Sequence, residues 1–115
     1  MKVIGFSSGG SDKNKDNGNV TRIVESIMTK SGHDFEMVLL AEKVYSGCKG
    51  CVQKCAGPKV CTLEDDLLTY YQKIKEADAV VIGSPVYFNA INGMAMSFIE
   101  RFYGYRHRDI AISGK

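Results

Sequence analysis

The sequence predicts an α/β fold built on a doubly wound parallel sheet, and three observations predict it. Apolar runs of strand length alternate with stretches whose apolar residues recur at helical spacing, in the order strand, helix, strand, helix, strand, helix. The first and third apolar runs end in loops rich in Gly, Ser and Asn. The 115 residues, 44% of them hydrophobic, leave room for one domain around one core. Right-handed crossovers then place helices on both faces of the sheet, with strand order 2-1-3 and a continuation to 4-5 if the sheet is complete.

The elements follow in order. Val3, Ile4 and Phe6 make a short apolar run into Ser7-Ser8-Gly9-Gly10, as a buried strand entering a glycine-rich loop does. Val20, Ile23, Val24, Ile27 and Met28 then recur at helical spacing, and Ser31-Gly32 supplies the stop. Residues Phe35 to Leu40 form a second apolar run, followed directly by a cysteine-rich loop. A second helix is predicted to open at Thr62, with Asp65 three residues on as a near capping box and Leu67, Leu68, Tyr71 and Ile74 on one face. The β-branched run Ala79 to Ile82 reads as a strand buried on both sides and leads into Gly83-Ser84-Pro85. Ala95, Phe98, Ile99 and Phe102 mark a third helix closing near Gly104, and Ile110 to Ser113 starts a fourth strand. If the sheet stops there, the third strand is left as a hydrophobic edge that another chain would cover, which predicts an oligomer or a shortened form truncated after the third helix.

Composition narrows the function. A formal net charge of +2, from 15 basic and 13 acidic residues spread along the chain, implies no nucleic-acid partner. The apolar start, Met1 to Phe6, is too short for a signal peptide or a membrane span, which points to the cytoplasm. In a reducing compartment, four cysteines confined to one segment read as metal ligands or redox thiols rather than structural disulfides.

In a doubly wound sheet the ligand sits beyond the carboxyl ends of the strands where the strand order reverses, here between strands one and three. The loops meeting at that point are 7–19 and 84–93. In the first, small residues and the amino end of helix one near Gly18-Asn19 offer backbone N–H groups to an anion, and a phosphate monoester suits the place. Ser7, Ser8, Ser11, Asn19 and Thr21 add neutral donors. A plain polar loop with helix-capping residues accounts for the same composition. Neither the Gly-x-Gly-x-x-Gly dinucleotide fingerprint nor the Gly-Lys-Ser/Thr ending of a nucleoside triphosphate loop is present, which disfavours both ligand classes at this site.

The second loop reads Gly83-Ser84-Pro85-Val86-Tyr87-Phe88-Asn89-Ala90-Ile91-Asn92-Gly93. It resembles the Gly-Ser-Pro-x-Tyr-Phe stretch of the NADPH-dependent FMN reductase family, which includes iron-sulfur flavoproteins. The resemblance runs from Lys2-Val3-Ile4-Gly5 to Phe98-Ile99-Glu100-Arg101 and implies a flavodoxin-like FMN-binding domain over residues 1–115, with a cysteine-rich loop at 47–61. It implies that Pro85, Val86, Tyr87, Phe88 and Asn89 lie against the isoalloxazine ring, and that Ser7, Ser8, Gly9, Ser11, Asn19, Val20 and Thr21 surround the phosphate. Tyr87 and Phe88 offer flat apolar surface for such a ring, although both would also serve as core residues. The first loop departs from the family pattern: Ser8-Gly9-Gly10-Ser11 stands where Gly-Ser-Pro-Arg is usual, and Val20 where a threonine follows Gly-Asn.

Cys48-x2-Cys51-x3-Cys55-x5-Cys61 puts four soft ligands in one compact segment with interspersed glycines. The pattern resembles the cysteine motif of iron-sulfur flavoproteins, which carries a four-iron cluster, with one more residue between the second and third cysteines. The resemblance implies electron exchange between cluster and flavin, the nearest flavin belonging to a neighbouring subunit, and NAD(P)H or a ferredoxin-like protein as donor. Four thiolates also satisfy tetrahedral zinc, leaving an NAD(P)H-dependent FMN or quinone reductase with a structural zinc or a metal-free loop. Cys48 and Cys51 alone would make a dithiol pair, a use that leaves Cys55 and Cys61 without a role. No acid–base triad is visible, as suits chemistry carried by a flavin. Arg101, Arg106, His107 and Arg108, interleaved with Tyr103 and Tyr105, read as a solvated face in preference to a dock for an acidic protein. His33 and His107 have no ligand-like spacing, and Met94 and Met96 suit flavin or core packing equally.

Overall fold

Alternating side-chain direction along the first strand decides how the layers form. In the computed structural model, which describes residues 1–9, 18–51 and 61–102, strand β1 (Lys2–Ser7) is buried from Val3 onward. Val3 joins Val24 and Met28 on one face of the sheet. Ile4 and Phe6 join Val38, Leu40, Leu67, Tyr71, Ile74 and Phe98 on the other. A strand buried on both faces needs helices on both, and that requirement produces the three-layer arrangement.

Helix α1 (Asn19–Lys30) covers the first face through Thr21, Val24 and Met28. Of the apolar residues read as its stripe, Ile23 and Ile27 face solvent instead. Strand β2 (Asp34–Leu39) runs into a single 3-10 turn, Leu40–Glu42, that buries Leu40 and separates the strand from the cysteine segment. Helix α2 (Leu67–Glu76) buries Leu67, Tyr71 and Ile74 against the second face, whereas Leu68, placed by the sequence on the same face, is 40% exposed. This helix opens at Leu67 and not at Thr62. The Asp65 carboxylate accepts from the Leu67 N–H at 3.1 Å and also receives the guanidinium of Arg101, and residues 61–64 form an irregular connection.

Strand β3 (Ala79–Gly83) completes a parallel sheet of order β2-β1-β3, the expected order. Val3 is in register with Phe35 on one side and Ala79 on the other. Among the described residues β3 is an edge strand, with Ile82 39% exposed. The fourth strand expected at Ile110 to Ser113 lies outside the described residues, as do Gly104 and the basic and aromatic residues from Tyr103 onward. After β3 the chain forms a small antiparallel hairpin, β4 (Val86–Tyr87) with β5 (Ala90–Ile91), where the sequence had suggested only a loop. Helix α3 (Gly93–Glu100) follows, burying Ala95 and Phe98, and ends in a turn at residues 101–102. Phe98 is the hub of the second face, 4.5 Å from the Phe6 ring and 5.2 Å from Phe102. No helix among the described residues is long and apolar enough to cross a membrane.

Candidate functional site

Parallel pairing of β1 with β3 brings the loops behind both strands to the same end of the sheet, and two glycines let them close on helix α1. A Cβ on Gly9 would stand 2.7 Å from Val20 Cβ, and one on Gly83 would overlap Val24 Cγ2. Only a residue without a side chain fits at either position. The two loops are joined directly: Ser8 donates its N–H to the Gly83 carbonyl at 2.9 Å and its hydroxyl to the same oxygen at 3.2 Å. Ser7 and Thr21, both buried, share a 2.9 Å hydroxyl bond, and Ser7 Oγ accepts from the Gly9 N–H. These hydroxyls therefore brace the loop against the first turn of α1. That turn has Gly18 at its cap with no side-chain acceptor and carries no acidic residue. Within that turn no carboxylate opposes the backbone N–H groups and the positive end of the helix dipole, a setting that suits an anion. Asn19 is exposed and Val20 half-buried; Ser11 lies outside the described residues.

The second loop presents its aromatics to solvent. Tyr87 is 60% exposed and Phe88 fully so, which rules out the reading of both as core residues. Phe88 and Asn89 occupy the two central positions of the β4–β5 turn with φ of 51° and 64°. Positive φ at both positions is the pattern of a type I′ hairpin, whose twist matches that of the strands. Asn adopts this region readily, whereas a bulky residue such as Phe is an outlier there and carries conformational strain. Pro85 is half-buried behind the hairpin, while Val86 and Asn89 are exposed. One residue that the sequence reading quoted without assigning a role organises the whole junction. Asn92 caps α3 by accepting from the Ala95 N–H at 3.0 Å, donates Nδ2–H to the Ser8 carbonyl at 2.8 Å, and donates its own N–H to Ser84 Oγ at 3.1 Å. Its signal was present as an Asn directly before an apolar helical run.

Residues 1–114 match the family described as NADPH-dependent FMN reductase. The chain belongs to that family. Among its relatives in the FMN reductase family, an iron-sulfur flavoprotein of Methanocaldococcus jannaschii is 35% identical over 104 residues, covering 88% of this chain and 51% of the relative. An iron-sulfur flavoprotein of Archaeoglobus fulgidus is 31% identical over 101 residues, covering 88% and 48%. The chain thus spans about half the length of the curated relatives it matches. Among solved structures, Smu.1420 from Streptococcus mutans UA159 superposes with a TM-score of 0.61 at 13% identity, over 88% of this chain and 52% of that one. That likeness bears on the fold, and the fold of this FMN reductase family member is flavodoxin-like.

The described ends of the cysteine segment of this family member meet Arg101, just past the carboxyl end of α3. Cys48 is exposed, Cys51 half-buried and Cys61 buried; Cys55 lies outside the described residues. Among the described residues no three His, Cys, Asp or Glu side chains gather in a ligand set, so Cys48, Cys51 and Cys61 are not brought together there. Two of the three sulfurs nonetheless receive hydrogen bonds. Gly50, at a φ of 71°, turns its N–H onto Cys48 Sγ at 3.4 Å, and Arg101 Nε donates to Cys61 Sγ at 3.2 Å. Sulfur is a weak acceptor as a thiol and a better one as a thiolate. Arg101 itself corrects the expectation of a solvated face: it is 1% exposed. Desolvation opposes its charge, but bonding to Asp65 and Cys61 prevails and holds the guanidinium well above its ordinary value. Before the segment, Tyr45 donates its hydroxyl to the Met94 carbonyl of α3 at 2.7 Å, and burial pushes its phenol up to about 12.

Proposed function

We propose that this chain is the FMN-binding part of an oxidoreductase. The phosphate lies in the loop between β1 and α1, within reach of Ser7, Ser8, Gly9, Ser11, Asn19, Val20 and Thr21. The isoalloxazine ring lies against Pro85, Val86, Tyr87, Phe88 and Asn89. The observation that carries this reading is the direct joining of the two loops, Ser8 to Gly83 and Asn92 to Ser8. That junction sets a helix whose first turn carries no acidic residue beside an exposed, strained aromatic hairpin. An anion at one end and a flat apolar face at the other describe a phosphorylated aromatic ligand, and FMN is the one named by the family.

When bound, FMN supplies the hydride and single-electron chemistry. The chain's own part is positional. Backbone N–H groups of the first turn of α1 fix the phosphate, the hairpin offers Tyr87 and Phe88 as ring surface, and Gly9 and Gly83 let both backbones approach closely. Cys48, Cys51, Cys55 and Cys61 are proposed to hold an iron-sulfur cluster as a second redox centre; relatives bearing the name iron-sulfur flavoprotein and the N–H bonds to Cys48 and Cys61 support this. The electron donor is NAD(P)H or a ferredoxin-like protein, and the working form is a cytoplasmic homo-oligomer in which cluster and flavin can come from different subunits.

Anaerobic purification followed by absorbance, iron and acid-labile sulfide analysis, and titration with FMN tests the reading. Flavin bands with stoichiometric iron and sulfide support both centres. Flavin bands with zinc, or with no metal, retain the FMN site and overturn the cluster. A colourless protein whose addition leaves FMN fluorescence unquenched overturns the flavin reading.

A further inference from the structure

Every polar group of Ser8 is engaged. Its N–H and its hydroxyl both go to the Gly83 carbonyl, at 2.9 and 3.2 Å. Its own carbonyl accepts from Asn92 Nδ2–H at 2.8 Å, across 84 positions of sequence. The following N–H, that of Gly9, goes to Ser7 Oγ at 3.3 Å, and Ser7 Oγ lies 2.9 Å from Thr21 Oγ1 in the first turn of α1. A trans peptide is planar, with C=O and N–H on opposite sides. The peptide between Ser8 and Gly9 therefore turns its carbonyl toward the amino end of α3 and its N–H toward the first turn of α1.

The two ends of that peptide are held differently. The N–H is anchored on its own strand through Ser7, whereas the carbonyl depends on a side chain of another element. Among the described residues Asn92 is its one donor. The amide of Asn92 has no freedom to reverse, because Oδ1 accepts from the Ala95 N–H at 3.0 Å as the cap of α3, which leaves Nδ2 for Ser8. With the peptide turned over, the Ser8 carbonyl oxygen would face α1 and repel the negative charge that the amino end of a helix favours. Resting on the FMN reading above, we propose that Asn92 is a positioning residue for the phosphate end of FMN: its amide holds the Ser8 carbonyl on the α3 side and so sets a preference for FMN over riboflavin.

Riboflavin has the ring of FMN without its phosphate, so the pair separates the two ends of the site. Both are titrated into the full chain by fluorescence quenching. Asn92→Ser keeps an oxygen for the Ala95 N–H and the backbone N–H that meets Ser84 Oγ, and it loses the amide donor. Cooperative urea unfolding shows that the variant is folded. Folded Asn92→Ser is expected to raise the Kd for FMN about tenfold, the worth of one hydrogen bond to a charged group, with the Kd for riboflavin within about twofold of the wild type. Asn92→Asp provides the second arm. It keeps the cap but turns an acceptor toward the Ser8 carbonyl, so its loss of FMN affinity is at least as large, again with riboflavin unaffected.

A merely structural role for Asn92 would weaken both ligands by the same factor. Equal losses, loss of riboflavin alone, or no loss in folded Asn92→Ser overturn the proposal and leave the FMN site standing. If Asn92→Ser does not fold, Asn92→Asp decides by the same comparison. If neither folds, the wild type decides: Asn92 side-chain amide resonances that move with FMN and not with riboflavin support the proposal, and resonances unmoved by saturating FMN overturn it. Wild-type protein that quenches neither ligand overturns the FMN reading itself, and this inference with it.

Discussion

Replacing Phe88 by Gly is expected to stabilise the apo-protein while weakening its hold on FMN, two effects of opposite sign from one substitution. Phe88 sits at a φ of 51° with its ring fully exposed. Its side chain therefore loses no burial on removal, and the conformation it is forced into costs an L-residue about 1–2 kcal/mol relative to the same residue in a right-handed or extended state. Glycine escapes that cost but gives up about 0.5–1 kcal/mol through the greater freedom of its unfolded chain. The net gain is about 0.5–1 kcal/mol, readable as a rise in the midpoint of urea unfolding at unchanged slope. FMN titration by fluorescence quenching should move the other way. Loss of an aromatic face against the isoalloxazine forfeits about 0.5–1.5 kcal/mol beyond the lost contact area, so the Kd rises about tenfold. Phe88→Tyr, which keeps both ring and strain, should leave both quantities unchanged. Unaltered FMN affinity in Phe88→Gly would refute the assignment of this hairpin to the ring, and a less stable apo-protein would refute the strain argument.

Asn92→Ala removes the cap of α3 and the bond to the Ser8 carbonyl together, at a combined cost of about 2 kcal/mol in urea unfolding. Asn92→Asp, which keeps the cap acceptor and loses the donor, should fall between wild type and Ala. Gly83→Ala drives a methyl group into Val24 and should cost about 1–3 kcal/mol as overpacking. Adding Val24→Ala should recover most of that loss, and additive effects of the two substitutions would contradict the packing. Tyr45 has its folded pKa raised from 10.0 to about 12 by burial, so between those values the unfolded chain has lost a proton that the folded one keeps. The corresponding stability is intact below pH 10 and declines toward pH 12. Tyr45→Phe should lack this decline when unfolding is followed across that window.

The fold was legible because its signals are local. Runs such as Val3 to Phe6 and Ala79 to Ile82, the helical recurrence of Val24 and Met28, and glycines behind two strands each announce themselves within a few residues. The meeting of the two loops behind β1 and β3 was legible for the same reason, since a switch point in a parallel sheet follows from element order alone. What escaped was built from partners far apart in sequence. Arg101 reads as surface until Cys61, Asp65 and Ser46, between 36 and 55 positions away, are placed around it. The start of α2 was misplaced for a related reason: Asp65 has the composition of a cap near Thr62, but its carboxylate is shared between the Leu67 N–H and Arg101. The β4–β5 hairpin was missed because Phe88 is a residue that turn chemistry argues against, and only its geometry shows that Phe88-Asn89 forms one.

Asn92 and Arg101 together explain why a helix of eight residues matters to both halves of the chain. They flank α3 at its two ends, nine residues apart, which is about 13 Å of axis and about two and a half turns. Half a turn of offset points the two side chains to opposite sides. Asn92 reaches the junction of the β1 and β3 loops, and Arg101 reaches the two ends of the cysteine segment. Between them Ala95 and Phe98 are fully buried, and the Phe98 ring rests 4.5 Å from that of Phe6 on the central strand. The azimuth of α3 is therefore set by the core, and each cap inherits its direction from that packing instead of from its own loop. The strand that leads through Ser7 to Ser8 and the β1–β3 loop junction is the one against which Phe98 is seated. Loop and cysteine segment thus share a single rigid reference, and a shift of α3 on Phe6 would displace Ser8 and Cys61 in the same motion. Whatever the two segments hold, their separation is fixed by one short, well-packed helix more directly than by either loop.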